Sequence, residues 1–216
     1  MLDVIGANSV HSQIVYAEFI IMFFSLLSII SYLLNYEINY EQLTKMTYSF
    51  ETYKDVLNIS TLLFSSFATF VIMLNIYLRY KYQIKFEAYT GTLTHEDTLM
   101  SSGYVKNVIG ECLLTLIHPN VLFVSDYYSY KKRYNTPVID SLKYSVNEIL
   151  LAFMVLRVFF IFKFLMTISY FKTSRAARTC RMYGESNSYL FALRCLFNKY
   201  PIRFVSMMFF SDLSRE

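Results

Sequence analysis

The chain has 216 residues, a formal net charge of +4 and 55% hydrophobic residues, with charged residues held to 17% and twenty each of Tyr and Phe. Soluble domains carry about 25% charged residues, and here the apolar residues gather into runs of spanning length, so the composition excludes a soluble globular protein and points to a multi-pass membrane protein. So small a net charge offers no broad attraction to nucleic acid, and the uneven placement of the charges carries more information than their sum.

Met1 to Gln13 is a short polar segment without Lys or Arg. The run 14–34 has the roughly 20 apolar residues that a bilayer core demands. It lacks the basic leader and small-residue cleavage site of a secretory signal, so it reads as a retained first helix. Glu18 stands about one turn in and is expected to reach the interface. A polar loop from Tyr36 to Asp55 leads to a second span at 56–78, closed by Arg79, Lys81 and Lys85.

The linker from Gln83 to Gly103 contains Thr94-His-Glu-Asp97, one His beside acids, which reads as solvated rather than metal-binding. A third span is expected at 104–124, with Pro119 set to kink or end it. Glu111 lies deep enough there to be costly unless paired. An intramembrane carboxylate points to function by default, and an internal ion pair that fixes helix packing is the plainer reading. A tyrosine-rich loop with Lys131, Lys132 and Arg133 precedes a fourth span at 145–171, which carries Glu148, Arg157 and Lys163. Arg157 is expected to pair with Glu111 or Glu148. Arg157 and Lys163, six apart, are expected on different faces. The three cysteines, Cys112, Cys180 and Cys195, have neither metal-ligand nor disulfide-framework spacing and read as free thiols.

The fold class expected is an all-α membrane protein, a four-helix antiparallel bundle followed by two short amphipathic helices. Lys and Arg placement sets its orientation. Eight basic residues follow from Lys172 onward and three open the second linker, whereas the first loop holds two basic residues against four acids. Both termini are therefore expected in the cytoplasm, although Lys131 to Arg133 would then face outward.

In the tail, 172–216, arginines recur at 175, 178 and 181 and form one stripe of a helix. Gly184 suits a helix stop, and Asn187 or Ser188 suits the next cap. Leu190, Leu193 and Phe197 then share a face at i, i+3, i+7. Basic amphipathic helices beside a membrane fit an anionic leaflet or a calmodulin-like acidic groove. A plain stop-transfer flank would have the same composition.

Glu111-Cys-Leu-Leu-Thr-Leu-Ile-His-Pro119, Asn147-Glu-Ile-Leu-Leu-Ala-Phe-Met-Val-Leu-Arg157, Ser174-Arg-Ala, Tyr183-Gly and Arg203-Phe-Val, in that order, resemble the small-conductance calcium-activated potassium channels. The resemblance covers roughly residues 109–205. It implies a tetramer of six-helix subunits in a surface membrane of plasma or ciliary type. Four helices would form a voltage-sensor-like domain, and calmodulin would act on the linker after the fourth helix. By resemblance, calmodulin contacts fall at Arg175, Arg178, Arg181, Leu190, Leu193 and Phe197, with Ca2+ entering through calmodulin and no cofactor bound directly.

A steep voltage sensor needs several arginines at every third position, each worth about 2.3 kcal/mol per 100 mV. The fourth span has Arg157 and Lys163, so strong voltage gating is not expected. The chain departs from the family in one large respect. Its five glycines, at 6, 91, 103, 110 and 184, form no Thr-Val-Gly-Tyr-Gly-type filter. It therefore reads as a pore-less portion, either a fragment or an accessory module. The alternative is a four-pass scaffold whose basic tail binds lipid or a partner. No Gly-x-Ser-x-Gly or His-Glu-x-x-His motif occurs, and no enzymatic activity is expected.

Overall fold

A computed structural model of the chain describes residues 2–44, 51–94, 96–120, 127–131, 141–184 and 187–199. His95, Lys132, Arg133 and the Arg203-Phe-Val segment lie outside the described residues. Helices dominate, and three of them are long and apolar enough to cross a membrane, over Val4–Glu37, Val56–Thr90 and Val146–Ile168. The protein is a helical membrane protein.

Helix α1 runs over Leu2–Thr44 and α2 over Glu51–Thr90, 43 and 40 residues. At 1.5 Å per residue each is about 60 Å long, twice a bilayer core. The segment before residue 14, expected to be separate, is thus the first turns of α1. Its sequence carries the signal, because Ala7, Val10, Ile14, Ala17 and Ile21 are buried at alternating spacings of three and four. The stripe continues through Ser25, Ser28, Tyr32 and Asn35, and α2 answers with Leu62, Ser65, Ala68, Thr69, Ile72 and Ile76. Small residues along both stripes let two membrane helices approach closely. Glu18 meets Arg79, while Ile29 and Tyr32 share a cluster with Leu62, so the two helices form an antiparallel hairpin.

Helix α3 covers Val105–Leu116, twelve residues or about 18 Å. The expected third span of 104–124 is therefore shorter as a helix, and Ile117 already has extended backbone. Pro119 is the physical reason: its ring would clash with the carbonyl of residue 115 in a continued helix, and it has no N–H to offer that carbonyl. The following segment includes a two-stranded antiparallel hairpin, β1 (Tyr127–Lys131) and β2 (Ser141–Ser145), with Tyr127 opposite Ser145 and Lys131 opposite Ser141.

The fourth span, expected unbroken over 145–171, is α4 (Val146–Met154), a 3-10 stretch (Val155–Arg157) and α5 (Val158–Ile168), followed by a second 3-10 turn at Tyr170–Lys172. Helices α6 (Ser174–Met182) and α7 (Tyr189–Lys199) complete the described chain. Thr173 caps α6 by accepting from the Ala176 N–H. Gly184 adopts φ +74°, the left-handed conformation that stops a helix. Ser188 Oγ accepts from the Phe191 N–H at 3.1 Å and opens α7.

Ile21, Ile72, Ile76, Tyr80 and Phe160 form the central apolar cluster, with Val108, Cys112 and Leu114 of α3 against it. Ala68 is fully buried on the α1–α2 seam. Ala68→Leu should lower the thermal unfolding midpoint of the detergent-solubilised protein through overpacking worth about 1–3 kcal/mol. An unchanged midpoint would show that the seam is looser than described.

Candidate functional site

Four spanning-level charges, one from each of four helices, meet near one end of the bundle. Arg79 of α2 places Nη1 2.5 Å from Glu18 Oε1 of α1 and Nη2 2.8 Å from Glu111 Oε2 of α3. Lys163 of α5 donates to Glu111 Oε1 and lies 3.9 Å from Glu18 Oε1. The Tyr80 hydroxyl donates to Glu111 Oε1 at 2.8 Å. Two carboxylates and two cations balance formally. Their side chains are 0% (Glu18), 1% (Arg79), 14% (Glu111) and 6% (Lys163) exposed, so each is held away from water. A buried charge survives only when paired and hydrogen-bonded.

Glu111 was legible as a carboxylate that needed partners, and it has them. Arg79 and Glu18 were not. Arg79 is a full member of the cluster rather than the flank of a finished span, because α2 continues to Thr90. Glu18 is buried rather than placed at an interface.

One apolar layer further along, Arg157 is also fully buried, and Phe160 lies between it and Lys163 in the chain. Both cations therefore face the interior, against the expectation of different faces, and both long side chains reach α1 and α3, Arg157 at Ser28 and Thr115 and Lys163 at Glu18 and Glu111. Arg157 pairs with neither Glu111 nor Glu148. Its Nη2 donates to the Thr115 carbonyl at 2.6 Å and its Nη1 to Ser28 Oγ at 3.1 Å. The Thr115 carbonyl would accept the N–H of residue 119 in a regular helix, and Pro119 has none. Pro119 therefore frees the acceptor that Arg157 takes. Glu148 is half-buried in the first turn of α4, where a negative charge favours the helix dipole, and it forms no ion pair among the described residues.

The tail docks on the end of the bundle nearest the charge cluster. Ser174 Oγ donates to Asn8 Oδ1 of α1. Arg181 Nη2 donates to the Gly91 carbonyl at 2.6 Å. Gly91 has φ +75°, and a Cβ there would stand 2.8 Å from that guanidinium. Lys172 Nζ donates to the Asn187 carbonyl at 2.9 Å and lies 3.9 Å from the centroid of the Tyr189 ring. The Tyr189 hydroxyl reaches Glu18 Oε1 at 3.3 Å and Thr167 Oγ1 at 3.5 Å. Tyr189, one of twenty tyrosines, carries no sequence signal of this role.

Of the residues singled out by sequence, Arg175 is exposed, Arg178 is half-buried, and Arg181 is exposed while bonded to Gly91. In α7, Ala192 faces inward. Leu190 is 69% and Phe197 41% exposed, and Leu193 is half-buried. Leu190 and Phe197 thus point outward, and Leu193 less so. The three cysteines are free thiols.

Thr94 and Asp97 close a local turn. Asp97 Oδ2 accepts from the Thr94 N–H at 2.8 Å and its hydroxyl at 2.9 Å, and Oδ1 accepts from Ser101 Oγ at 2.9 Å. Among the described residues no group of three or more His, Cys, Asp or Glu could hold a metal ion.

Glu111→Gln should destabilise the folded protein by about 3–5 kcal/mol, because it leaves Arg79 and Lys163 short of charge. Arg157→Met should cost no more than about 1–2 kcal/mol, because its partners are neutral. Thermal unfolding of both variants checks the order, and equal losses would mean that Arg157 has an ionic partner. The Thr94 N–H, and then the Ser101 and Thr94 hydroxyls, hold the Asp97 carboxyl below its usual range. The turn is therefore favoured above the unfolded pKa near 4 and loosens as pH falls through the lower folded value. The Thr94 amide resonance should report this on acid titration, and a resonance insensitive to pH there would refute it. Comparison with protein-family models, curated proteins and solved structures gave no match to this chain.

Proposed function

We propose that the chain is the sensor-like, pore-less portion of a calcium-activated, calmodulin-gated potassium channel subunit. In this reading four crossings form the bundle, with α3 in the third. Both termini are cytoplasmic, and the assembled channel is a tetramer in a surface membrane. The observation that carries the reading is the placement of the tail. Helices α6 and α7 bind the bundle through Ser174, Arg181 and Tyr189, while Arg175, Leu190 and Phe197 remain outward. Contact of the tail with both Asn8 and Gly91 supports the start of α1, the α2–α3 linker and the tail on one side of the membrane, as an even number of crossings requires.

Calcium-loaded calmodulin would grip the outward face by burying Leu190, Leu193 and Phe197 in its apolar grooves and matching the arginines with its acidic rim. The paired state of Lys163 and the bonds of Arg157 to the Thr115 carbonyl and Ser28 hydroxyl suit a fourth segment that is held structurally rather than moved steeply by voltage. A second reading, a scaffold anchored to an anionic leaflet, has support in the same helix, where exposed Arg194 neighbours the apolar residues.

Binding of calmodulin to the full chain in nanodiscs, with and without Ca2+, distinguishes them. Tight binding with Ca2+ alone, lost in the Arg175→Glu, Leu190→Glu, Phe197→Glu triple variant, is expected. Absence of binding in both conditions, with attachment to anionic vesicles that weakens steeply with salt, would replace the channel reading by the scaffold.

A further inference from the structure

We propose that α7 is a lid on the end of the bundle, latched by the Tyr189 hydroxyl to the buried Glu18 carboxylate, so that lifting the lid and loosening the charge cluster are one event. The geometry is specific. The bonds from the tail to Asn8 and Gly91 use an exposed amide and a backbone carbonyl. Tyr189 instead enters the cluster itself. Its hydroxyl shares Glu18 Oε1 with Arg79 at 2.5 Å and Lys163 at 3.9 Å, so one oxygen joins α1, α2, α5 and the tail.

The ring is held as firmly as the hydroxyl. Lys172 Nζ lies 3.9 Å and Lys163 Nζ 5.6 Å from its centroid, within the range of cation–π attraction. Thr167 Oγ1, one turn beyond Lys163, stands beside the hydroxyl and bonds its own Lys163 carbonyl at 2.9 Å. Glu18 Oε2 has no partner among the described residues, so the carboxylate depends on the donors at Oε1. Removal of Tyr189 would take one donor from that oxygen and open the cluster to water. It would also withdraw the ring that stands beside both lysines.

A lid of this kind is a handle on α5. Any ligand that raises α7, whatever its identity, weakens the hold of Glu18 on Lys163, and Lys163 lies two turns from Arg157. The coupling therefore does not rest on calmodulin as the partner.

Hydrogen exchange of the full chain in nanodiscs tests the latch with no partner present. Tyr189→Phe keeps the ring and removes the hydroxyl. It should speed exchange about tenfold both in α7 and in the α1 segment around Glu18, as loss of one hydrogen bond to a buried charge implies. Exchange in β1 and β2, remote from the latch, should stay as in the parent chain. Glu18→Gln should speed α7 by a similar factor, and the double variant should add little to either single one, the sign of a direct interaction. Acceleration confined to α7 in Tyr189→Phe would overturn the proposal, as would full additivity in the double variant. If Glu18→Gln does not fold, the response of the α1 segment to Tyr189→Phe decides by itself.

Discussion

Everything in this fold is arranged around the cost of keeping Glu18, Arg79, Glu111 and Lys163 out of water. An ion alone in hydrocarbon costs many kcal/mol, and pairing repays that only with good geometry and further hydrogen bonds. The cluster meets the condition by taking one charge from each of α1, α2, α3 and α5, so no helix can leave without stranding the charge it faces. Apolar packing cannot enforce this in a membrane, since lipid tails satisfy Leu and Phe as well as a neighbouring helix does. The ion pairs therefore set which helices meet and in what register, while Ile21, Ile72, Ile76 and Phe160 fill the space beside them.

Arg157 is the counterexample that clarifies the rule. Among the described residues no carboxylate pairs with it, and it is buried on the Thr115 carbonyl and the Ser28 hydroxyl. That arrangement is open to it because Pro119 leaves the Thr115 carbonyl without its helical donor. A single imino acid at the end of α3 thus shortens one helix and creates the acceptor for another. The Ile-His-Pro sequence that interrupts the third segment is, physically, what seats the cation of the fourth.

The apolar runs of the first, second and fourth segments were legible in composition, as were the stop at Gly184, the cap at Ser188 and the need of Glu111 for partners. The ends of the first two helices were not. A cation at the end of an apolar run looks the same whether the helix stops there or continues, so Arg79 read as a flank although α2 carries it inside. The start of α1 was hidden because Ala7 and Val10 are too small to register as a hydrophobic run, yet they keep the helical spacing. The partner of Arg157 was missed because a search for opposite charge overlooks carbonyls, although Pro119 marked the one that was free. Tyr189 could not have been found at all, since its role depends on where the tail folds back. No signal in the loop after α3 announced the strand pairing of Tyr127–Lys131 with Ser141–Ser145.

The three residues of 3-10 helix at Val155–Arg157 have a mechanical meaning. A 3-10 residue rises about 2.0 Å and turns 120°, against 1.5 Å and 100° in an α-helix. Conversion of those three residues to α geometry would shorten the segment by about 1.5 Å and rotate all that follows by about 60°. That rotation would turn Arg157 and Lys163 together against α1 and α3, with little change in the length of the segment. The fourth segment is thus threaded like a screw with one uneven pitch, and torque applied at its tail end would be felt as rotation rather than as displacement.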